Sequence, residues 1–157
     1  WPRVSDMDAV DKKIEEMGGI DTVWCGVGAR GLIAFNEAPR MYHHRISIED
    51  YKQSKTRIVA INPDTIVALS ERTFGTNYDR VPPLSVTIGF KSILSAKRAV
   101  FMVATGSWKQ TSVRVALFSD ETLEFPVTLL TKYIPECIMY TDVRTLDHPM
   151  SYEIRGW

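Results

Sequence analysis

Gly26-Val27-Gly28-Ala29-Arg30-Gly31-Leu32-Ile33-Ala34-Phe35-Asn36-Glu37 follows an apolar run from Ile20 to Cys25. That run has the length and composition of a buried strand, Asp21 notwithstanding. The glycines after it form a turn in which backbone amides can approach a ligand closely. A GxG turn alone matches many unrelated proteins. What makes this one particular is the short apolar segment that closes on Asn36 and Glu37.

Upstream of the turn, Val4, Met7, Val10, Ile14 and Met17 recur at helical spacing. Ser5 or Asp6 is the expected cap, and Gly18-Gly19 the stop. Downstream, periodicity fades from Ala34 to Ser54, where Pro39, His43 and His44 suggest a loop with a short helix near Ile48 to Gln53. Thr56 to Ile61 alternates as a strand. Asn62-Pro63-Asp64 opens a helix running to about Arg72. Leu84 to Ile88 reads as a short strand, Phe90 to Ala96 as one or two helical turns, and Ala99 to Ala104 as a buried strand. Gly106-Ser107 opens a helix to about Phe118, with Ser107 as cap. Val127 to Tyr133 is helical, Glu136 to Thr141 is the last strand, and a polar tail follows.

Strands alternating with helices imply one open, mainly parallel sheet covered on both faces. The expected class is a Rossmann-like three-layer α/β fold. Ligands in such sheets bind beyond the carboxyl ends of the strands. The Gly26 and Gly106 turns both fall there. A dinucleotide site is disfavoured: the third glycine spacing is missing, and no acidic residue is placed for a ribose.

The 157 residues suffice for a single domain, 1–157, with a sizeable core. Nineteen Lys and Arg balance nineteen Asp and Glu with no block of either sign, which argues against nucleic acid or an anionic membrane as partner. No apolar run is long enough to span a bilayer. Cys25 and Cys137 both sit in strand-like runs and are expected to be buried free thiols, as in a reduced cytoplasmic protein.

The opening stretch resembles the signature of the glucosamine-6-phosphate deaminase/isomerase family, roughly G-(I/V)-G-x-D-G-H-I-A-F-N-E-P. Pro83 to Ala96 looks like that family's P-x-x-A-L-T-V-G-x-x-T-(L/I)-L-x-A segment. Val103-Ala104-Thr105-Gly106-Ser107-Trp108-Lys109-Gln110 looks like its strand followed by G-x-x-K-A. Pro126 to Tyr133 is a weaker match, with Thr131 and Tyr133 in place of a glutamine and a histidine. The similarity runs over nearly the whole chain. It implies a glucosamine-6-phosphate isomerase-like domain lacking the family's N-terminal segment, with its phosphate loop and catalytic aspartate.

The resemblance also implies amino-sugar metabolism, a sugar-phosphate ligand and no cofactor or metal. Gly26, Gly28, Arg30, Gly31, Asn36, Arg72 and Lys109 become the candidate substrate- and phosphate-binding residues. Lys109 falls at the family's phosphate-holding lysine, and Arg72 falls at or within one residue of its phosphate-holding arginine. Glu37 is the residual catalytic candidate. Two departures bear on chemistry. Leu32 stands where the family has its ring-opening histidine, and it cannot transfer a proton. Arg30 stands where the family has an acidic residue, and guanidinium cannot act as a base. Whether the chain is an enzyme stays open between impaired or altered catalysis and a non-catalytic sugar-phosphate-binding regulatory or assembly domain.

Several residues keep two readings. Arg30 is either a new anion contact or a solvated loop residue. Leu32 either lines a pocket or fills core. Arg72 either meets phosphate or favours its helix C-terminus. Trp108 either packs ordinarily, or against a sugar or a neighbouring subunit. His43 or His44 either replaces the missing histidine from the loop, or joins Glu49 and Asp50, or neither; their spacing matches no standard metal motif. His148 reads as solvated. Homo-oligomerisation stays open.

Overall fold

The structure is a computed structural model and describes residues 3–39 and 45–150. In chain order the elements are α1 (Asp8–Glu16), β1 (Thr22–Cys25), α2 (Ile48–Lys52), β2 (Arg57–Ala60), α3 (Pro63–Thr73), β3 (Leu84–Thr87), α4 (Phe90–Ile93), β4 (Arg98–Val103), α5 (Gln110–Phe118), α6 (Val127–Tyr133), β5 (Glu136–Thr141) and α7 (Val143–Leu146). Each expected helix and strand is present, within a few residues at its ends. The four-residue α7, capped by the Asp142 side chain, lies in what reads as a polar tail.

The α/β class and the parallel sheet hold. β4 is central, with β1 and β5 parallel on either side. The expected single five-stranded sheet does not form. β2 and β3 make a separate antiparallel ribbon, Ala60 opposite Leu84. The reason lies in the connection. The eleven residues of α3 carry the chain about 16 Å away from the end of β2. The stretch 74–83 is long enough to bring it back to the same end, through left-handed Gly75 and Thr76. Pro83 then accepts the Ile61 amide at 2.9 Å, and β3 can only run backwards along β2.

The core lies on one face of the parallel sheet. Cys25, Ala99, Phe101 and Val103 belong to it, in one cluster with Leu129 and Leu130 of α6. The opposite face is covered in part: Val100 is buried there, while Trp24, Met102 and Tyr140 are 69%, 53% and 55% exposed. β5 is an edge strand. Cys137 on it is exposed, contrary to expectation, while Cys25 is buried; both are free thiols. Burial pushes the Cys25 thiol up to about 11.

Two expected caps are absent. Neither Ser5 nor Asp6 caps α1, whose N-cap is Met7 with no side-chain bond. Ser107 begins a 3-10 turn, Ser107–Lys109, and caps nothing. Instead the amides of Thr105 and Gly106 donate to the Thr145 hydroxyl, at 3.2 and 2.8 Å. Asp11 plays a part that sequence reasoning missed. Its buried carboxylate accepts the Thr56 amide at 2.8 Å and the Ser92 hydroxyl at 2.5 Å, tying α1 to the start of β2 and to α4.

Candidate functional site

The chain leaves β1 at Gly26, beyond the carboxyl edge of the sheet, and folds back on itself twice. The Gly28 amide donates to the Leu32 carbonyl and the Gly31 amide to the Gly28 carbonyl, both at 2.9 Å. The buried Ser112 hydroxyl of α5 is hydrogen-bonded to the carbonyls of Gly28, at 3.0 Å, and Ala29. These two glycine amides therefore serve the loop, not a ligand. Gly28 is required for a different reason from the one its sequence suggests. A Cβ there would lie 2.3 Å from Leu32 Cγ, so the missing side chain makes room for Leu32. Gly31 has φ +68°, and its carbonyl accepts the Val127 amide at 2.8 Å.

The loop forms one wall of a crevice of about 470 Å³. Gly26, Gly28, Arg30 and Leu32 line it on one side, α3 with Asp64, Thr65, Ala68, Leu69 and Arg72 on another, and Trp108 and Lys109 close the end. Of the sequence-derived candidates, Gly26, Gly28, Arg30, Arg72 and Lys109 converge here. Gly31, Asn36 and Glu37 do not line it.

Asn36 is fully buried and acts as a bracket. Its amide nitrogen donates to the carbonyls of Ile33 and Ile88, at 3.1 and 2.8 Å, and its oxygen accepts from Arg57 at 3.0 Å. Glu37 faces a neighbouring cavity of about 550 Å³, with Tyr51, Arg57 and Asn62. Its carboxylate accepts the Asn62 amide at 2.6 Å, and the Tyr51 hydroxyl donates to its backbone carbonyl at 2.7 Å. Burial raises the Tyr51 phenol well above its usual range.

The crevice walls are mostly aliphatic or aromatic, and its charges are segregated. At the mouth, half-exposed Arg30 pairs with Asp64 at 3.4 Å. Arg30 is thus neither a lone anion contact nor simply solvated. At the closed end Arg72 and Lys109 form no ion pair among the described residues. Lys109 is only 9% exposed. Burial first, and the Arg72 charge second, lower its pKa from the usual lysine range. The Arg72 guanidinium lies 3.4 Å from the centroid of the Trp108 ring, and Lys109 Nζ lies 4.5 Å from it. Two cations thus share this end of the crevice, one of them buried, with no ion-pair partner for either among the described residues.

Leu32 is half-buried and presents a hydrocarbon side chain to the crevice. Asp64 and Ser112 were not legible as site residues, since they lie far from Gly28 in sequence and read as parts of ordinary helices; Phe35 lies in the opening stretch but was not singled out. His43 and His44 lie outside the described residues. Glu49 and Asp50 bond to Lys52 and Ser47. Among the described residues no cluster of three metal-ligating side chains occurs. His148 is hydrogen-bonded to Thr111 and to the Met150 amide, and is not simply solvated. No helix among the described residues is long and apolar enough to cross a membrane.

No protein-family model matches the chain. Individual relatives do. It is 31% identical over 134 residues to glucosamine-6-phosphate deaminase 2 of Giardia intestinalis, covering 84% of this chain and 45% of that protein. It is 35% identical over 112 residues to the glucosamine-6-phosphate deaminase of Caenorhabditis elegans, covering 71% and 38%. Among solved structures, a monomeric glucosamine-6-phosphate deaminase of the NagB superfamily superposes with a TM-score of 0.74 at 25% identity, over 92% of this chain and 56% of that one. The 6-phosphogluconolactonase of Trypanosoma cruzi shares the fold, with a TM-score of 0.58 at 18% identity over 90% of this chain and 50% of that one. The chain spans about half the length of the curated relatives it matches.

Proposed function

This chain belongs to the glucosamine-6-phosphate deaminase/isomerase family, and we propose that it is a sugar-phosphate-binding domain of amino-sugar metabolism with impaired deaminase chemistry. The single observation that carries the reading is the cationic end of the crevice. Arg72 and buried Lys109 have no carboxylate partner among the described residues, and they stand at or within one residue of where the family's phosphate-holding residues fall. A phosphate there would neutralise both charges by charge-assisted hydrogen bonds. The sugar would then lie along the wall formed by Gly28, Leu32 and α3.

The impairment follows from the residues opposite that anchor. Opening a sugar ring needs a group that exchanges a proton near neutrality. Leu32 exchanges none, and Arg30 stays protonated and paired with Asp64. Glu37 remains the residual acid–base candidate, at the neighbouring cavity and one residue from bracketing Asn36. A second reading, a regulatory or assembly domain with no catalysis, is favoured by the ion pair Arg30–Asp64, which ties up the one carboxylate that lines the crevice among the described residues. A cytoplasmic location and a small-molecule ligand accord with both readings.

Calorimetric titration tests the binding half. Glucosamine 6-phosphate is expected to bind and unphosphorylated glucosamine not to, with Lys109→Ala abolishing the heat. An assay of ammonia release tests the chemical half. Loss of one acid–base group costs about 10²–10⁴ in rate, so release by the purified chain is expected at background. Release well above it, with host deaminase excluded, overturns the impaired reading.

A further inference from the structure

The two crevice cations come from separate parts of the chain, Arg72 from the last turn of α3 and Lys109 from the 3-10 turn before α5. What they share is one aromatic ring. The guanidinium carbon of Arg72 lies 3.4 Å from the Trp108 centroid, and Lys109 Nζ is 4.5 Å from the same point. Like charges repel, and among the described residues no carboxylate pairs with either. The π system of this one ring is the attraction that both cations have in common, and they lie near enough for the Arg72 charge to act on Lys109. The indole N–H is buried and has no acceptor. No hydrogen bond of its own fixes the ring in place, so its contacts with the cations account for its position better than its polar edge does.

We propose that Trp108 is a positioning residue for the anion: its ring holds Arg72 and Lys109 together at the closed end of the crevice, so that one phosphate meets both. The proposal rests on the phosphate reading above and adds a residue that the family pattern leaves unspecified, the second x of G-x-x-K. It also separates two roles for the tryptophan. A ring already in contact with Arg72 at 3.4 Å is not available on that face as a platform for a sugar. Its effect should therefore be felt at the phosphate and not at the hydroxyls.

The test compares inorganic phosphate with glucosamine 6-phosphate, titrated into the ¹⁵N-labelled chain, for the wild type, Trp108→Phe and Trp108→Leu. Phenylalanine keeps a ring face and is expected to bind both ligands within about threefold of wild type. Leucine removes the face and is expected to weaken both ligands by the same factor, about tenfold. The Arg72 Nε–H proton gives a readout independent of ligand: its ring-current shift should persist in the phenylalanine variant and vanish in the leucine one. If Trp108→Leu does not fold, Trp108→Met removes the ring with an unbranched side chain of useful size. Three results overturn the proposal. Trp108→Leu could bind both ligands as wild type does. It could lose glucosamine 6-phosphate alone while keeping inorganic phosphate, which makes the ring a sugar platform. Or the wild type could bind neither ligand, in which case the phosphate reading fails and takes this one with it.

Discussion

Gly28 and Leu32 occupy a space that admits only one side chain. A methyl on Gly28 would sit 2.3 Å from Leu32 Cγ. Gly28→Ala is therefore expected to cost about 1–3 kcal/mol by overpacking. Shortening its neighbour in the double variant Gly28→Ala/Leu32→Ala should recover part of that cost, a coupling visible in a double-mutant cycle of denaturant midpoints. Lys109 argues the other way. Its charge is held in a buried place beside another cation, so in the absence of a ligand it is a liability. Lys109→Met is expected to raise the thermal midpoint, by about 2–4 °C for each kcal/mol relieved, while abolishing phosphate binding. The sign follows from linkage. A lysine whose folded pKa is lowered costs stability below that pKa, and the cost fades as pH rises toward the ordinary lysine value of about 10.4. The gain from Lys109→Met should accordingly be full at neutral pH and shrink above it. Arg72 and Lys109 were legible in the sequence through the pattern around them. Asp64, the ion-pair partner of Arg30, was not, because a carboxylate in the first turn of a helix is accounted for locally.

At the scale of elements, the loop after β1 is shaped from outside itself. Ser112 on α5 grips two of its carbonyls, and the amide of Val127, the first residue of α6, takes a third. Ser112→Ala is expected to cost about 1–3 kcal/mol, the penalty for buried polar groups left without a partner. It should also weaken sugar-phosphate binding, because it releases the wall that Gly28 and Leu32 form. Asp11→Ala removes two hydrogen bonds to a buried carboxylate and should cost about 3 kcal/mol, read as a lower urea midpoint. The helices and strands themselves were readable from periodicity, β5 and α3 nearly to the residue. Strand direction was not. Nothing in Thr56 to Ile61 or Leu84 to Ile88 specifies whether the two run alike, and the returning stretch 74–83 decides it. Asp11 was equally hidden, since its partners lie 45 and 81 residues away.

For the whole molecule, the asymmetry of the sheet matters most. One face packs Phe101 and Val103 against α6; the other shows Trp24, Met102 and Tyr140 to solvent. Substitutions on the two faces should differ sharply. Phe101→Ala is expected to cost about 3–5 kcal/mol, whereas Trp24→Ser should change stability by no more than about 0.5 kcal/mol and reduce binding of a hydrophobic dye. Ala99 to Ala104 reads as a buried strand throughout, and nothing in it said that Met102 would be exposed while Val100 on the same face is buried. The crevice sits at the sheet's carboxyl edge, where a parallel α/β fold places its ligands. The central claim is that this edge holds a phosphate between Arg72 and Lys109. Amide chemical shifts during a titration with glucosamine 6-phosphate test it most directly. Saturable shifts around Gly28, Trp108 and Lys109 that disappear in Lys109→Ala are the expected result. No shifts at those amides, or shifts that survive the loss of Lys109, would contradict it.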